Sequence, residues 1–424
     1  MNLIATLQER GFVEQIAGVG LDDILKKQVH LYCGFDPTGD SLHVGHLIPL
    51  IGMKWFQQAG HVPIALVGGA TGMIGDPSGK SQERNLLTGD QIKKNVLGIQ
   101  KNIQQVLNNT DFLLLNNFDW ISPFSFIDFL RDVGKNFRLG PMLAKESVKL
   151  RINSEEGMSF TEFSYQLLQA YDFFHLNKKY GVNLQLGGSD QWGNITAGID
   201  LVRKETGSAV FGLTFPLLTR SDGQKFGKTE SGTIWLSEEK LPVYEFYQYF
   251  FRMPDADVIR CLRLLTQMPM DQIRKIENEM KQEGYVPNTA QKHLAEAVTE
   301  LVHGNEGVKI ALAATEIAKP GAKTELSVAT LELLEGEIPF FDLSAQEVIG
   351  AKLVDVLVST KELASKGEGK RLIQNGGLYL NNNRVDSDAM QIQQDDLIEG
   401  KLLLVALGKK KKLIVRVKKE LQNS

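Results

Sequence analysis

Over the first half of the chain, short apolar runs alternate with segments whose apolar positions recur every three or four residues. The runs are 30–35, 63–69, 112–115, 183–188 and 211–218, and several end in Gly, Asn, Asp or Ser. Each has the length and bounding residues of a buried strand. Between them, Leu47, Leu50, Ile51 and Lys54-Trp55 follow a helical period, and Ser159 with Glu162 forms the signature of a helix start. Strand–helix alternation predicts an α/β fold with a doubly wound parallel sheet over 1–220. Ligands of such sheets bind beyond the carboxyl ends of the strands. After this the pattern changes. Residues 243–251, 256–265, 271–282 and 289–302 carry helical periods only, so 221–320 is expected to hold a polar loop and an α-helical domain. Residues 321–344 lack clear periodicity and are expected to be a linker. Residues 345–424 read as a small α+β unit: a helix at 351–357, a helix, glycine turn and strand over 366–381, and an apolar segment over 396–417.

Composition changes this picture little. At 424 residues, 42% hydrophobic and 23% charged, the chain has the make-up of a multidomain globular protein. No run nears the roughly 18 apolar residues of a membrane span. The first segment, Met1 to a stop at Gly11, reads as an amphipathic helix; Glu9 and Arg10 interrupt it, so no signal peptide is expected. Cys33 and Cys261, far apart, argue for a reducing, cytoplasmic setting. Charge is uneven: the net is −4, yet residues 345–424 carry 14 basic and 10 acidic side chains. Nucleic-acid binding, if present, therefore belongs at the C-terminal end.

Candidate chemistry falls at the strand ends. The first strand runs into Asp36-Pro37-Thr38-Gly39-Asp40, and His43 and His46 follow at a helix start. Free N–H groups and the helix dipole make this an anion site to which imidazoles add donors. Helix capping alone also accounts for the histidines, and no third ligand nearby completes a zinc set. The loop after the second strand contains Gly79-Lys80-Ser81, but position 74 is Ile where a P-loop needs Gly, so that motif is rejected. Asp76 offers a carboxylate for an ammonium group, and Lys80 and Arg84 offer charge for phosphates. Tyr165, Gln169 and Asp172 share one helix face, equally consistent with a solvated or a binding surface. Gly187 and Gly188 allow close approach of an adenine or ribose; Asp190 can accept from a ribose hydroxyl, and Gln191 can bind substrate. Lys225 and Lys228 stand three apart in a glycine-bearing polar loop.

His43-Val44-Gly45-His46 resembles the H-x-G-H signature of class I aminoacyl-tRNA synthetases, and Lys225-Phe226-Gly227-Lys228-Thr229 resembles their K-M-S-K-S loop. With Tyr32-Cys33-Gly34-Phe35-Asp36-Pro37-Thr38, the set resembles the bacterial tyrosyl-tRNA synthetase family over nearly the whole chain. The resemblance implies a Rossmann-like class I core, a helical anticodon-side domain and an S4-like RNA-binding domain. It implies tyrosine–tRNA ligase activity through tyrosyl-adenylate, with ATP and Mg2+ as a substrate complex, no structural metal, and L-tyrosine and tRNA(Tyr) as partners. A homodimer without membrane attachment follows, with 120–137 as a candidate interface. In its terms Asp76, Tyr165, Gln169 and Gln191 surround the substrate ammonium, while Tyr32 and Asp172 reach the phenolic hydroxyl. Thr38, His43, His46, Lys80, Arg84, Lys225, Lys228 and Thr229 serve the phosphates. Cys33 and Asp190 contact the ribose, and Gly34, Asp36, Gly45 and Gly188 shape the nucleotide site. The 409–412 lysines, Arg416, Lys418 and Lys419 supply phosphate-facing charge in the last unit. Two other functions compete: a tRNA-independent nucleotidylyltransferase, and a non-catalytic synthetase-like RNA-binding protein.

Overall fold

The computed structural model describes residues 2–79, 87–107, 112–155, 157–221, 223, 226–229, 232–317, 326–332, 334–336, 338–408 and 411–418. They form two compact units, Met1–Leu241 with Tyr249–Val302, and Pro242–Gln248 with His303–Ser424.

The first unit is built on six strands: β1 (Gln15–Ala17), β2 (His30–Phe35), β3 (Val62–Val67), β4 (Leu113–Asn116), β5 (Val182–Gly188) and β6 (Phe211–Phe215). Their order is β1-β6-β5-β2-β3-β4. β6 through β4 are parallel, and only β1 runs antiparallel, against β6. β3 and β6 are buried along almost their whole length, which is why both read as continuous apolar runs. β1 lies outside the sequence expectation, because three residues on an exposed edge leave no period to detect. The chain proceeds from β2 to β3 on one side and returns as β5 on the other, so the sheet's switch point lies between β2 and β5. A crevice opens there, beyond the carboxyl ends of the strands.

Helix ends explain the register of what lines it. The Phe160–Tyr180 helix starts where the Ser159 side chain accepts the Glu162 N–H at 3.2 Å, and stops at Gly181 with φ +65°. Glu162's carboxylate closes on Arg151 at 2.8 Å in a buried ion pair. At the other edge of this unit, the buried Arg10 guanidinium donates to the carbonyls of Leu262, Arg263, Thr266 and Met268. It thereby satisfies the end of the Asp255–Leu265 helix.

The second unit holds β9 (Phe340–Ser344), β10 (Leu378–Leu380), β11 (Asn383–Arg384), β12 (Leu402–Leu407) and β13 (Lys411–Lys418), in the order β11-β10-β12-β13-β9. In the first unit, β7 (Lys228–Thr229) and β8 (Gly232–Thr233) form a separate two-residue ribbon. The helix–glycine–strand pattern is present as the Lys366–Gln374 helix, Gly376 at φ +66° and β10.

Two expectations need correction. The supposed linker supplies β9, parallel to β13 from Phe340↔Ile414 to Lys418↔Ser344, and Leu331 and Leu334 are buried with Leu402, Leu404 and Ile414. It lacks visible periodicity because its pieces are short and join a core rather than an amphipathic surface. The helices of 221–320 are not one separate domain, since the division falls at Val302/His303, beside a break in the Thr289–Ile317 helix at Gly304 (φ +71°). The basic tail is partly paired with acidic side chains in its described part, with Lys411 and Lys418 still exposed. Arg416 pairs with Glu335 and Asp342, Lys418 with Asp342, and Lys411 with Glu362. Lys412 is buried, which pulls its amine down to about 8. Lys409, Lys410 and Lys419 lie outside the described residues.

Arg10→Ala would leave several helix-end carbonyls without donors inside the fold. We expect a loss of about 2–4 kcal/mol in denaturant unfolding. Lys26→Ala, at the exposed Lys26–Asp23 pair, should leave the denaturant midpoint unchanged.

Candidate active site

β2 delivers Tyr32, Cys33 and Gly34 to the switch point. Gly34 is exposed, and a Cβ there would meet nothing within 4 Å, so the strand end stays open to a ligand. Cys33 is buried, which pushes its thiol up to about 12 and keeps it a neutral group. A 3-10 turn, Val44–His46, then leads into the Leu47–Gln58 helix. His43 Nδ1 accepts the Gly45 N–H at 3.1 Å, which puts the imidazole proton on Nε2 as a donor. His46 Nδ1 lies 3.2 Å from the His43 nitrogen, and the two rings are 4.1 Å apart. Thr38 is exposed in the intervening turn.

The lysine loop is fastened to this turn. Val44 N–H donates to the Ile234 carbonyl at 3.0 Å, Leu236 N–H to Leu42 at 2.9 Å, and His43 bridges to Trp235. Lys228 is exposed at the start of β7, and Thr229 follows it there. Lys80, Arg84 and Lys225 lie outside the described residues.

The Phe160–Tyr180 helix brings Tyr165 and Asp172, both buried, and Gln169, half-buried, to the same crevice. A continuous hydrogen-bond chain joins its two ends. Tyr165 hydroxyl donates to Asp36 at 2.8 Å, and Thr71 Oγ1 donates to Asp36 at 2.7 Å. Asn117 Nδ2 donates at 2.9 Å both to Thr71 Oγ1 and to Asp172. Trp120 Nε1 gives Asp172 a further bond at 2.8 Å. Burial nevertheless raises the Asp172 carboxyl to about 7; the Asn117 and Trp120 bonds oppose the rise and the charge of Asp36 adds to it. The Tyr32 hydroxyl is buried with no hydrogen-bond partner among the described residues; burial raises its pKa, and Asp172 is close enough to raise it further.

A second cluster surrounds Asp76. It accepts from Gln191 at 2.6 Å, from the Ser78 N–H at 3.0 Å and from Asn194 at 3.3 Å. Asn194 also donates to Gln169 at 3.0 Å, and Gln169 donates to Gln191 at 3.2 Å. Asp190 accepts from Gln191 at 3.3 Å, next to Gly188 at the end of β5. Tyr165 is bonded to Asp36, which the sequence assigns to the nucleotide site, and it lies near enough to Asp76 for that carboxylate to help raise its hydroxyl.

Thr71, Asn117, Trp120 and Asn194 were not singled out from sequence. Asn117 and Trp120 follow the end of β4, and Thr71 the end of β3, so the strand-end rule applied to every strand would have found them. Among the described residues no group of three or more His, Cys, Asp or Glu could hold a metal ion. No described helix is long and apolar enough to cross a membrane.

A family model described as tRNA synthetases class I (W and Y) matches residues 25–318, and one described as the tyrosine–tRNA ligase SYY-like C-terminal domain matches 331–415. The tyrosine–tRNA ligase of Protochlamydia amoebophila (strain UWE25) is 53% identical over 423 residues, covering 99% of this chain and 100% of that protein. The chain belongs to the tyrosine–tRNA ligase family of class I synthetases. The family's Geobacillus stearothermophilus member is 47% identical, over 98% of this chain and 100% of its own. The solved structure of a C-terminally truncated Aspergillus nidulans mitochondrial tyrosyl-tRNA synthetase is 33% identical. It covers 73% of this chain and 92% of its own, with a TM-score of 0.65.

A phenol that donates to Asp172 binds the ionised carboxylate, so ligation should lower its pKa and expel a proton where the free protein holds one. We expect close to one proton released per tyrosine bound at pH 6 and close to none at pH 8.5, from calorimetry in buffers of different ionisation enthalpy. Heats that do not vary with buffer at pH 6 would count against this.

Proposed function

We propose that this chain activates L-tyrosine with ATP and transfers it to the 3'-terminal ribose of tRNA(Tyr), with the residues above in the following roles. The observation that carries the substrate is the buried Tyr32 hydroxyl, which has no hydrogen-bond partner among the described residues and lies within the field of the buried Asp172 carboxylate. A phenolic O–H fits both, donating to the carboxylate and accepting from Tyr32. Phenylalanine would leave the buried Tyr32 hydroxyl without a donor to accept from, and Asp172 with no donor beyond Asn117 and Trp120. The Asp76 cluster, with Gln169, Gln191 and Asn194, receives the ammonium group. The tyrosine carboxylate then attacks the α-phosphorus in line; the new C–O–P bond forms as the bond to pyrophosphate breaks, and the electron pair leaves with pyrophosphate. His43, His46, Thr38, Lys228 and, from outside the described residues, Lys80, Arg84 and Lys225 neutralise phosphate charge. Magnesium enters with ATP as part of the substrate. Cys33 and Asp190 hold the ribose. Rate comes from positioning and charge stabilisation, with no covalent enzyme intermediate. In the second step the ribose hydroxyl attacks the acyl carbon and AMP departs.

The reading includes a homodimer. Phe126 (66% exposed), Ile127 (67%), Leu139 (66%), Leu150 (66%) and Phe160 (68%) are apolar side chains left uncovered in the first unit. Patches of that kind mark interfaces. It also includes a cytoplasmic location, supported by two cysteines that are both free and buried. The two competing functions are not favoured by family matches that run through both the core and the C-terminal domain.

ATP–pyrophosphate exchange without tRNA tests the substrate. Exchange with tyrosine, and not with phenylalanine or tryptophan, is expected; exchange driven by another amino acid would overturn the assignment. Tyr32→Phe should reduce the preference for tyrosine over phenylalanine by about tenfold, from kcat/KM of exchange. Ile127→Asp should shift the protein from dimer to monomer in sedimentation velocity; an unchanged sedimentation coefficient would remove this face from the interface.

A further inference from the structure

The peptide just ahead of Lys228 is held from several sides. Gly227 has φ +78°, and a Cβ on it would come within 2.4 Å of the Val44 side chain, so only glycine lets the loop lie against the His43–His46 turn. Its carbonyl accepts the Ile234 N–H at 2.9 Å. Its own N–H is taken by a side chain from a distant part of the sequence, the hydroxyl of Tyr249, at 2.9 Å. The Tyr249 ring also meets the Phe226 ring edge to face, with centroids 5.7 Å apart. At the loop's entrance, Ser221 donates to Asp257 through its N–H and its hydroxyl, both at 3.0 Å.

We propose that Tyr249 is a positioning residue for adenylate formation: its hydroxyl fixes the Gly227 peptide and so sets where Lys228 leaves the loop relative to His43 and His46. The inference rests on the reading that Lys228 neutralises phosphate charge. The ring's packing against Phe226 needs no hydroxyl, and a phenylalanine would preserve it. Among the described residues the hydroxyl bonds to the residue that precedes Lys228. Burial pushes Tyr249 up to about 12, so at neutral pH it is an intact phenol that accepts the amide proton without charge.

The test is Tyr249→Phe in the full-length protein, with Lys228→Ala and the double variant beside it. Adenylate formation is followed in single turnover with ATP and tyrosine, and tyrosine affinity by equilibrium titration. The expected result is a rate about three- to tenfold lower for Tyr249→Phe, the scale of one lost hydrogen bond, with tyrosine affinity unchanged. In the Lys228→Ala background the same substitution should cost nothing more, because the two act through one element. A wild-type rate in Tyr249→Phe while Lys228→Ala is slow overturns the proposal and leaves the Lys228 role standing. A slowdown that persists undiminished in the double variant, or that appears equally in tyrosine affinity, assigns Tyr249 a general structural role instead. A Lys228→Ala protein of unchanged rate removes the Lys228 reading itself, and the inference with it.

Discussion

Everything at the site depends on one strand having parallel neighbours on both sides. β2 pairs with β3 through Leu31↔Pro63 to Phe35↔Val67, and with β5 through Leu31↔Leu184 to Cys33↔Leu186. That double pairing forces the connections away in opposite directions and leaves the end of β2 as the floor of a cleft. Tyr32, Cys33 and Gly34 lie on that floor, and the segments after β2, β3, β4 and β5 form the walls. The turn that carries His43 and His46 cannot be separated from the strand before it. The ladder anchors the residues just ahead of Asp36, and Asp36 in turn receives Thr71 and Tyr165.

Neutral donors hold the pocket's carboxylates in the bonds described. Asp172, Asp36 and Asp76 are each wrapped by amide, hydroxyl or indole donors rather than by lysine or arginine in the bonds described. Amide donors have fixed directions and a modest field, so they hold a carboxylate in place without fully offsetting its burial. That is the origin of the high Asp172 pKa. It leaves the carboxylate room for one more donor, the place proposed for the substrate phenol.

The sheet, its strands and the helix face of Tyr165, Gln169 and Asp172 were legible because each is a local pattern. Buried parallel strands are continuous apolar runs, and Ser159 marks a helix start. What escaped notice depends on tertiary pairing. β1 and β9 are short, and only their partners β6 and β13 make them strands. Asn117 and Thr71 are ordinary loop residues until the fold sets them between two carboxylates. The basic C-terminal run shows the same limit: sequence counts Arg416 and Lys418 as positive charge, but does not show Glu335 and the neighbouring strand's Asp342 beside them.

The parallel pairing of β9 with β13 has a bearing on modularity. A fragment begun at residue 345, where the recognisable S4-like pattern starts, would carry β13 as an unguarded edge of eight residues whose inner positions are almost all buried in the intact chain. Such an edge invites pairing with other chains. The boundary visible as a pattern is thus not the boundary at which the C-terminal unit becomes self-contained. An autonomous module has to begin upstream of Phe340 and keep its covering strand.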